Sequence, residues 1–148
     1  MFTPSVFYLK PMAALRWLEH AFGFETTMLI EGPDGDERMM HSEMSISGEG
    51  RIMVGSEWAS WAKSPRSVGG ANTQSVSVEL ESGIDEHCAQ ARTAGAAIEQ
   101  EPETQFYGHR TYRCRDLEGH VWTFSQKVKD LTVAEMERAG GVVIKKSL

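Results

Sequence analysis

The chain carries an internal repeat, and this repeat limits the possible folds more than any other feature of the sequence. The distance along the chain from Ser5 to Ser77 equals the distance from Gly23 to Gly95. Each of these two glycines follows a segment whose apolar residues recur with helical spacing. Around both segments the predicted elements run strand, helix and then three strands. Duplication of one supersecondary unit is the simplest explanation of this order.

The repeat divides the chain into two predicted modules of βαβββ order. We expect a single domain over residues 1–126, with a first module at 3–56 and a second at 75–126. A polar segment with several glycines and serines, 57–74, links the modules. The tail, 127–148, lies outside the repeat and is predicted to contain a short helix. A length of 148 residues suits one such domain.

Capping residues predict where the helices begin and end. Pro11 suits the first turn of the first helix, and Gly23 ends it. The second helix is predicted to begin at the spacing Ser82-x-x-Asp85, and the tail helix at Thr132-x-x-Glu135. Gly140-Gly141 is expected to end the tail helix.

Alternation along the strands predicts where a cleft lies. Bulky apolar residues alternate with small or hydroxylic ones over Ser75–Leu80 and again over Val121–Ser125. We expect the helices to cover the bulky faces. The sequence therefore predicts an α+β fold in which two tandem modules form curved sheets around a cleft, with small side chains facing that cleft.

Two segments of the chain resemble a known superfamily. Residues Met12–Glu25 are similar to the first helix of the glyoxalase / bleomycin resistance protein / extradiol dioxygenase (vicinal oxygen chelate) superfamily. Residues Arg110–Phe124 are similar to its closing hairpin, often written Asp-Pro-Glu-Gly, with Leu117 where proline is usual. The resemblance spans roughly Thr3 to Gln126. It implies paired βαβββ modules, a cleft between curved sheets and, usually, a homodimer.

The resemblance also implies positions for a metal. Enzymes of this superfamily hold a divalent ion on four cleft-facing positions that carry His, Glu or Gln. Carried over to this sequence, those positions fall on Thr3, Val54, Ser75 and Thr123. Catalytic divalent ions prefer imidazole nitrogen or carboxylate oxygen as ligands. We therefore expect no metal cofactor.

Without a metal, the resemblance predicts a protein that binds a small organic molecule, such as a drug or antibiotic, in the cleft. Trp58 and Trp61 in the linker suggest a lid or a dimer contact, or else a cover over the core. Tyr107 is a similar candidate for stacking on a planar ligand. The predicted ligand-binding residues are Thr3, Ser5, Phe7, Val54, Trp58, Trp61, Ser75, Ser77, Tyr107, Tyr112 and Thr123.

A glyoxalase-type metalloenzyme (a lyase, isomerase or dioxygenase) with an atypical metal site is the alternative. His41 and Glu43 lie two residues apart on a predicted strand, so they share a face and could chelate a divalent ion. A solvated strand face explains this pair as well. His20 and His87 lie on predicted helices and are expected at the surface. The catalytic residues of such an enzyme stay unassigned, and a closed cleft with a scaffold role is a third possibility.

Composition argues against several other classes. The chain has 15 basic and 21 acidic residues and a formal net charge of −6, so it lacks the basic surface that binds nucleic acid. Its apolar runs are too short to span a membrane, and no signal peptide is visible. Cys88 and Cys114 occur in no metal or redox spacing. A cytoplasmic location is therefore expected.

Overall fold

The computed structural model describes residues 2–148 and has an α+β fold with two four-stranded sheets. Met1, the first residue of the predicted domain, lies outside the described residues. The elements of the first half are β1 (Ser5–Tyr8), α1 (Pro11–Phe22), β2 (Phe24–Ile30), β3 (His41–Ile46) and β4 (Glu49–Ser56). Those of the second half and tail are β5 (Ser75–Glu79), α2 (Ile84–Thr93), β6 (Ala97–Thr104), β7 (His109–Arg115), β8 (Val121–Lys127) and α3 (Val133–Gly140).

The two sheets have the same topology. The first has the strand order β1-β4-β3-β2, and the second has the order β5-β8-β7-β6. In each sheet the first strand of the half runs parallel to its last strand, and the other neighbours are antiparallel. The predicted fold class, with two tandem βαβββ modules, is confirmed. The two sheets stay open and do not close into a barrel.

One hydrophobic core is shared by the two halves. Val6 and Tyr8 of β1 are buried in it, as are Trp122 and Phe124 of β8. The ring of Phe22, at the end of α1, lies 5.5 Å from the ring of Trp122 and 4.8 Å from that of Phe124, measured between centroids. Because strand side chains alternate, the residues between the buried ones form a second face on each sheet. We call this the outer face.

The predicted ends of α1 and α3 are confirmed. α1 begins at Pro11 and ends before Gly23, whose φ of 69° lies in the left-handed region that glycine adopts readily. At the start of α3, Thr132 Oγ1 accepts a hydrogen bond from the backbone N–H of Glu135. The Glu135 carboxylate accepts one in return from the N–H of Thr132, which completes the capping box.

The predicted start of α2 is wrong. This helix begins at Ile84, and the residue before it, Gly83, has a φ of 73° and provides no side-chain cap. The left-handed turn at Gly83 removes Ser82 from the capping position. Asp85 lies in the first turn of the helix and pairs with Arg110, whose guanidinium donates to both carboxylate oxygens.

The turn between β7 and β8 joins the two halves through a buried carboxylate. Asp116 accepts a hydrogen bond from Tyr8 Oη at 2.6 Å and one from Trp122 Nε1 at 3.0 Å. The backbone N–H groups of Glu118, Gly119 and His120 also donate to this carboxylate, at 2.9 to 3.0 Å. Burial raises the pKa of Asp116, but the hydrogen bonds and charge of its partners lower it more, so its net direction is downward.

A second buried carboxylate in the same turn also reaches the first half. Glu118 accepts hydrogen bonds from the backbone N–H groups of Leu9 and Lys10, at 2.8 and 3.1 Å. It also accepts one from Ser64 Oγ in the linker, at 2.6 Å. One turn of the second half thus holds the end of β1, the start of α1 and the linker.

His87 is half-buried and not fully exposed at the surface, and its ring packs beside that of the core residue Phe124 with centroids 4.4 Å apart. Its Nε2 lies 2.9 Å from the carbonyl oxygen of Phe22, and its Nδ1 lies 2.6 Å from Tyr112 Oη. A carbonyl only accepts, so Nε2 carries the proton and Nδ1 accepts from the tyrosine. Burial lowers the pKa of His87, opposed in part by the bond to Phe22.

Replacement of the buried carboxylate at position 116 should destabilise the fold strongly. We expect Asp116→Ala to lower the free energy of unfolding by about 3 kcal/mol or more, because buried hydrogen-bond donors lose their acceptor. Urea unfolding followed by tryptophan fluorescence measures the change. Asp130→Ala, which removes an exposed carboxylate paired with Lys127, is the control and should leave stability nearly unchanged. Equal effects of the two variants would contradict this role for Asp116.

The half-buried imidazole at position 87 should make stability depend on pH. Its pKa is depressed in the folded state, so the unfolded chain binds the proton first as pH falls below about 6.5. We expect the free energy of unfolding to decrease as pH drops through this region, and His87→Gln to weaken that decrease. Urea unfolding at a series of pH values tests this, with His20→Gln on the exposed side of α1 as the matched control. An unchanged pH profile in His87→Gln would refute the assignment.

Candidate functional site

A cavity of about 920 Å³ lies over the outer face of the first sheet. This volume is within the range of small-molecule sites. We call it the outer cavity. It is lined by Ser5, Phe7, Asp36, Arg38, Met39, Met40, His41, Met53, Gly55, Glu57, Trp58 and Trp61.

Strand register sets the floor of the outer cavity. Phe7 of β1 pairs with Gly55 of β4, and Gly55 pairs in turn with His41 of β3. Because Gly55 has no side chain, the floor is open between the phenyl ring and the imidazole. A Cβ added at Gly55 would lie 4.0 Å from Cδ1 of Phe7. Even alanine at this position would therefore take up part of the cavity.

Three aromatic rings form one wall of the outer cavity. The ring of Trp61 meets that of Phe7 edge to face, with centroids 5.6 Å apart. Trp58 meets Trp61 in the same way at 5.2 Å. The side chains of the two tryptophans are about two-thirds exposed, Trp58 at 65% and Trp61 at 66%. Their faces are thus available to a planar molecule, which aromatic rings hold by stacking and apolar contact.

The two carboxylates of the outer cavity are already engaged by the protein. Glu57 accepts a hydrogen bond from the N–H of Ser64 at 2.7 Å and pairs with Lys63 at 3.5 Å. Burial raises the pKa of Glu57, but hydrogen bonds from two nearby serines and the charge of Lys63 outweigh it, and the net direction is downward. Asp36 pairs with Arg38 at 2.8 Å. The cavity therefore offers mainly aromatic and apolar surface, with paired charges at its rim.

Five of the predicted ligand-binding residues lie together at the first sheet. Ser5, Phe7, Trp58 and Trp61 line the outer cavity. Thr3 precedes β1, and its Oγ1 accepts a hydrogen bond from Arg51 at 3.3 Å.

Val54 does not line the cavity, because it is completely buried in the core. The cause is that the sequence alignment of the two halves is one residue out of register at β4. Ser5 pairs with Met53, whereas the equivalent Ser77 pairs with Thr123. Met53 is therefore the residue that corresponds to Thr123. A shift of one residue along a strand moves a side chain to the opposite face.

Tyr112 is also buried in the core, so its prediction as a cleft residue is wrong. Its partner across the sheet is Phe124, and both side chains face inward. The next residue, Arg113, pairs with Thr123 on the outer face, where Nε donates to Thr123 Oγ1 at 3.2 Å.

The remaining predicted residues lie apart from the outer cavity. Ser75, Ser77 and Thr123 share the outer face of the second sheet. Tyr107 lies in the loop after β6, where its ring packs against that of Phe106 at 5.2 Å between centroids. The predicted cleft is thus divided between the outer faces of two different sheets.

Sequence reasoning missed the methionines of the outer cavity. Glu37–Met39 forms a single helical turn ahead of β3. The Asp36 side chain caps this turn by accepting from the N–H of Arg38 at 3.0 Å. The turn brings Met39 to the cavity. An aspartate immediately before the turn is a signal that could have revealed it.

The donor set does not fit a catalytic divalent ion. With the corrected register, the four superfamily positions carry Thr3, Met53, Ser75 and Thr123, of which none supplies imidazole nitrogen or carboxylate oxygen. Residues 2–148 contain no group of three or more His, Cys, Asp and Glu side chains placed to hold a metal ion. Glu43, paired with His41 in the alternative prediction, lies 3.6 Å from the Arg51 guanidinium.

Comparison with known proteins identifies the family. The sequence model of the Glyoxalase/Bleomycin resistance protein/Dioxygenase superfamily matches residues 7–124. The chain belongs to this superfamily. The comparison with curated proteins gave no significant match. None of the helices described in residues 2–148 has the length and apolar character needed to cross a membrane.

Solved structures agree with this assignment. TioX from Micromonospora sp. ML1 is 29% identical, covers 89% of this chain and 99% of its own, and superposes with a TM-score of 0.66. TnmS3, an antibiotic binding protein from Streptomyces sp. CB03234, is 17% identical and covers 84% and 93%, with a TM-score of 0.63. A superfamily member from Sphaerobacter thermophilus is 19% identical, covers 85% and 95%, and has a TM-score of 0.66. The similarities to TnmS3 and to the Sphaerobacter thermophilus protein show a shared fold alone.

Proposed function

We propose that this protein binds a planar, drug-like or antibiotic molecule in the outer cavity and does so without a metal ion. The observation that carries this proposal is the wall of Phe7, Trp58 and Trp61 beside a floor opened by Gly55. Rings that meet edge to face in this way leave faces on which a flat molecule can stack. The description of one structural neighbour, TnmS3, as an antibiotic binding protein supports the same class of ligand.

Two features favour binding over catalysis. The donor set lacks the ligands that a catalytic ion of this superfamily requires, as described above. Covalent catalysis by cysteine is disfavoured as well, because both cysteines are buried. Burial raises the pKa of the Cys114 thiol to about 12, so it stays protonated and is a poor nucleophile. Unpaired cysteines also support a reducing, cytoplasmic location as part of the proposal.

The proposal includes pairing of two copies of the chain. Large apolar side chains are exposed on and beside the first outer face: Met28, Ile30, Met39, Trp58 and Trp61. Apolar surface of this kind marks interaction sites more often than free surface. In a homodimer the outer face of the second sheet, which carries Ser75, Ser77 and Thr123, would cover the outer cavity of the partner copy. The two separated groups of predicted residues would then line one cleft.

Ligand binding should depend on the aromatic wall of the outer cavity. We expect bleomycin or the planar cation ethidium to quench tryptophan fluorescence and raise the melting temperature, since a ligand of the folded state stabilises it by mass action. Trp58→Ala should weaken this binding about tenfold through the loss of one stacking surface. Phe2→Ala, which removes an exposed ring outside the outer cavity, is the matched control and should bind like the unmodified protein.

Two results would contradict this proposal. Equal affinity of the Trp58→Ala and Phe2→Ala variants would exclude stacking in the outer cavity. Stabilisation by micromolar nickel, zinc or iron(II) that His41→Ala removes would favour the metalloenzyme instead, because His41 is the imidazole that lines this cavity.

Dimer formation should depend on the apolar outer face. We expect the protein to sediment as a dimer and Ile30→Glu to shift it toward the monomer, since the new carboxylate would be buried without a partner. Sedimentation velocity over a concentration series measures this. Val143→Glu in the exposed tail is the matched control and should remain dimeric. A monomeric unmodified protein, or a dimeric Ile30→Glu variant, would exclude this interface.

A further inference from the structure

A second cavity, of about 710 Å³, lies between β1 and the linker. We call it the linker cavity. Phe7 and Trp61 form one side of it, Asn72 and Gln74 of the linker another, and His120 of the second half also lines it. Trp58 lines only the outer cavity, whereas Phe7 and Trp61 line both. The two cavities are therefore adjacent but have different polar groups.

The wall formed by the linker is fixed in place by the turn after β7. Besides the Ser64–Glu118 bond, Arg66 Nη2 donates to the carbonyl oxygen of Leu117 at 2.6 Å. Pro65 packs on Gly119 so closely that a Cβ added there would lie 3.2 Å from the proline ring. The linker cavity is thus a built feature of the fold and not a gap beneath a free loop.

His120 is the unusual group of this cavity. Its side chain is 9% exposed, and its ring packs on that of Tyr8 with centroids 4.3 Å apart. Its Nδ1 lies 3.1 Å from Asp116 Oδ2. An ionised carboxylate only accepts hydrogen bonds, so Nδ1 carries the proton and donates it. In the neutral ring Nε2 is then a hydrogen-bond acceptor.

This acceptor has no partner within the protein. His120 Nε2 is buried and forms no hydrogen bond with any group of residues 2–148. Buried polar atoms in folded proteins are almost always paired, so an unpaired one calls for an explanation. Asp116 fixes the ring so that this nitrogen cannot turn toward another partner. Since His120 also lines the linker cavity, a molecule bound there lies beside the ring that carries this nitrogen.

From this arrangement we infer that the linker cavity binds an aromatic molecule bearing an O–H or N–H group, which donates a hydrogen bond to His120 Nε2. Phe7 and Trp61 contact the ring of such a molecule, and the carboxylate–imidazole pair selects for the donor. The proposed function requires binding without a metal ion and an aromatic wall that includes Trp58. Binding in the linker cavity requires neither. The interaction is one of recognition and involves no covalent step.

Phenol and anisole form a matched pair of probes, since anisole has the same ring but no hydroxyl donor. We expect phenol, added to the ¹⁵N-labelled full chain, to shift the His120 Nε2 resonance saturably, and anisole to leave it in place. The resonance positions of the free protein also report the tautomer and should show the proton on Nδ1. His120→Phe should weaken phenol binding about tenfold, the loss expected for one hydrogen bond.

Two control variants keep this test decisive. His109→Gln, which alters a histidine bonded to Ser125 on the second sheet, should retain phenol binding. Trp58→Phe should also retain the shift at His120, even if it abolishes binding in the outer cavity, which separates this inference from the proposed function. A free-state proton on Nε2, equal binding of phenol and anisole, or a His120 resonance that phenol does not move would each overturn it. The tautomer, the comparison of phenol with anisole and the His120 resonance are all measured on the unmodified chain. These tests therefore remain valid even if His120→Phe does not fold.

Discussion

The fold depends on two buried carboxylates in one short turn. Asp116 and Glu118 accept hydrogen bonds from the end of β1, from the start of α1 and from the linker, as well as from their own turn. A buried carboxylate is costly unless its oxygens are satisfied, and here the donors come both from the turn and β8 and from the end of β1, the start of α1 and the linker. The two modules are therefore held in one arrangement by polar contacts as well as by the shared core around Phe22.

This arrangement determines where the two cavities lie. Because one face of each sheet turns inward to a common core, the opposite faces are left on the outside. The outer cavity uses one of them, with Gly55 opening its floor and the linker tryptophans forming its wall. The linker cavity arises from the same packing, because the linker must pass β1 on its way to the turn that holds it.

Much of the fold could be predicted from the sequence, and much less of the site. The repeat, the glycine after α1 and the capping box of α3 are local signals, and the structure has all three. Pairing between strands is not a local property, so Val54 was placed on the wrong face by one residue and Met53 was missed. The half-buried position of His87 could not be recognised, since its partners Phe22 and Tyr112 are distant in sequence. The metal and cofactor predictions remain predictions.

Trp61 lines both cavities, so its position affects the shape of each. Its indole ring belongs to both walls, so a molecule that displaces it on one side must change the shape presented on the other. Any such effect is a coupling free energy, and coupling free energies are reciprocal: each occupant alters the affinity of the other by the same factor. If both proposed sites are occupied, Trp61 is the side chain through which one occupant would affect the other.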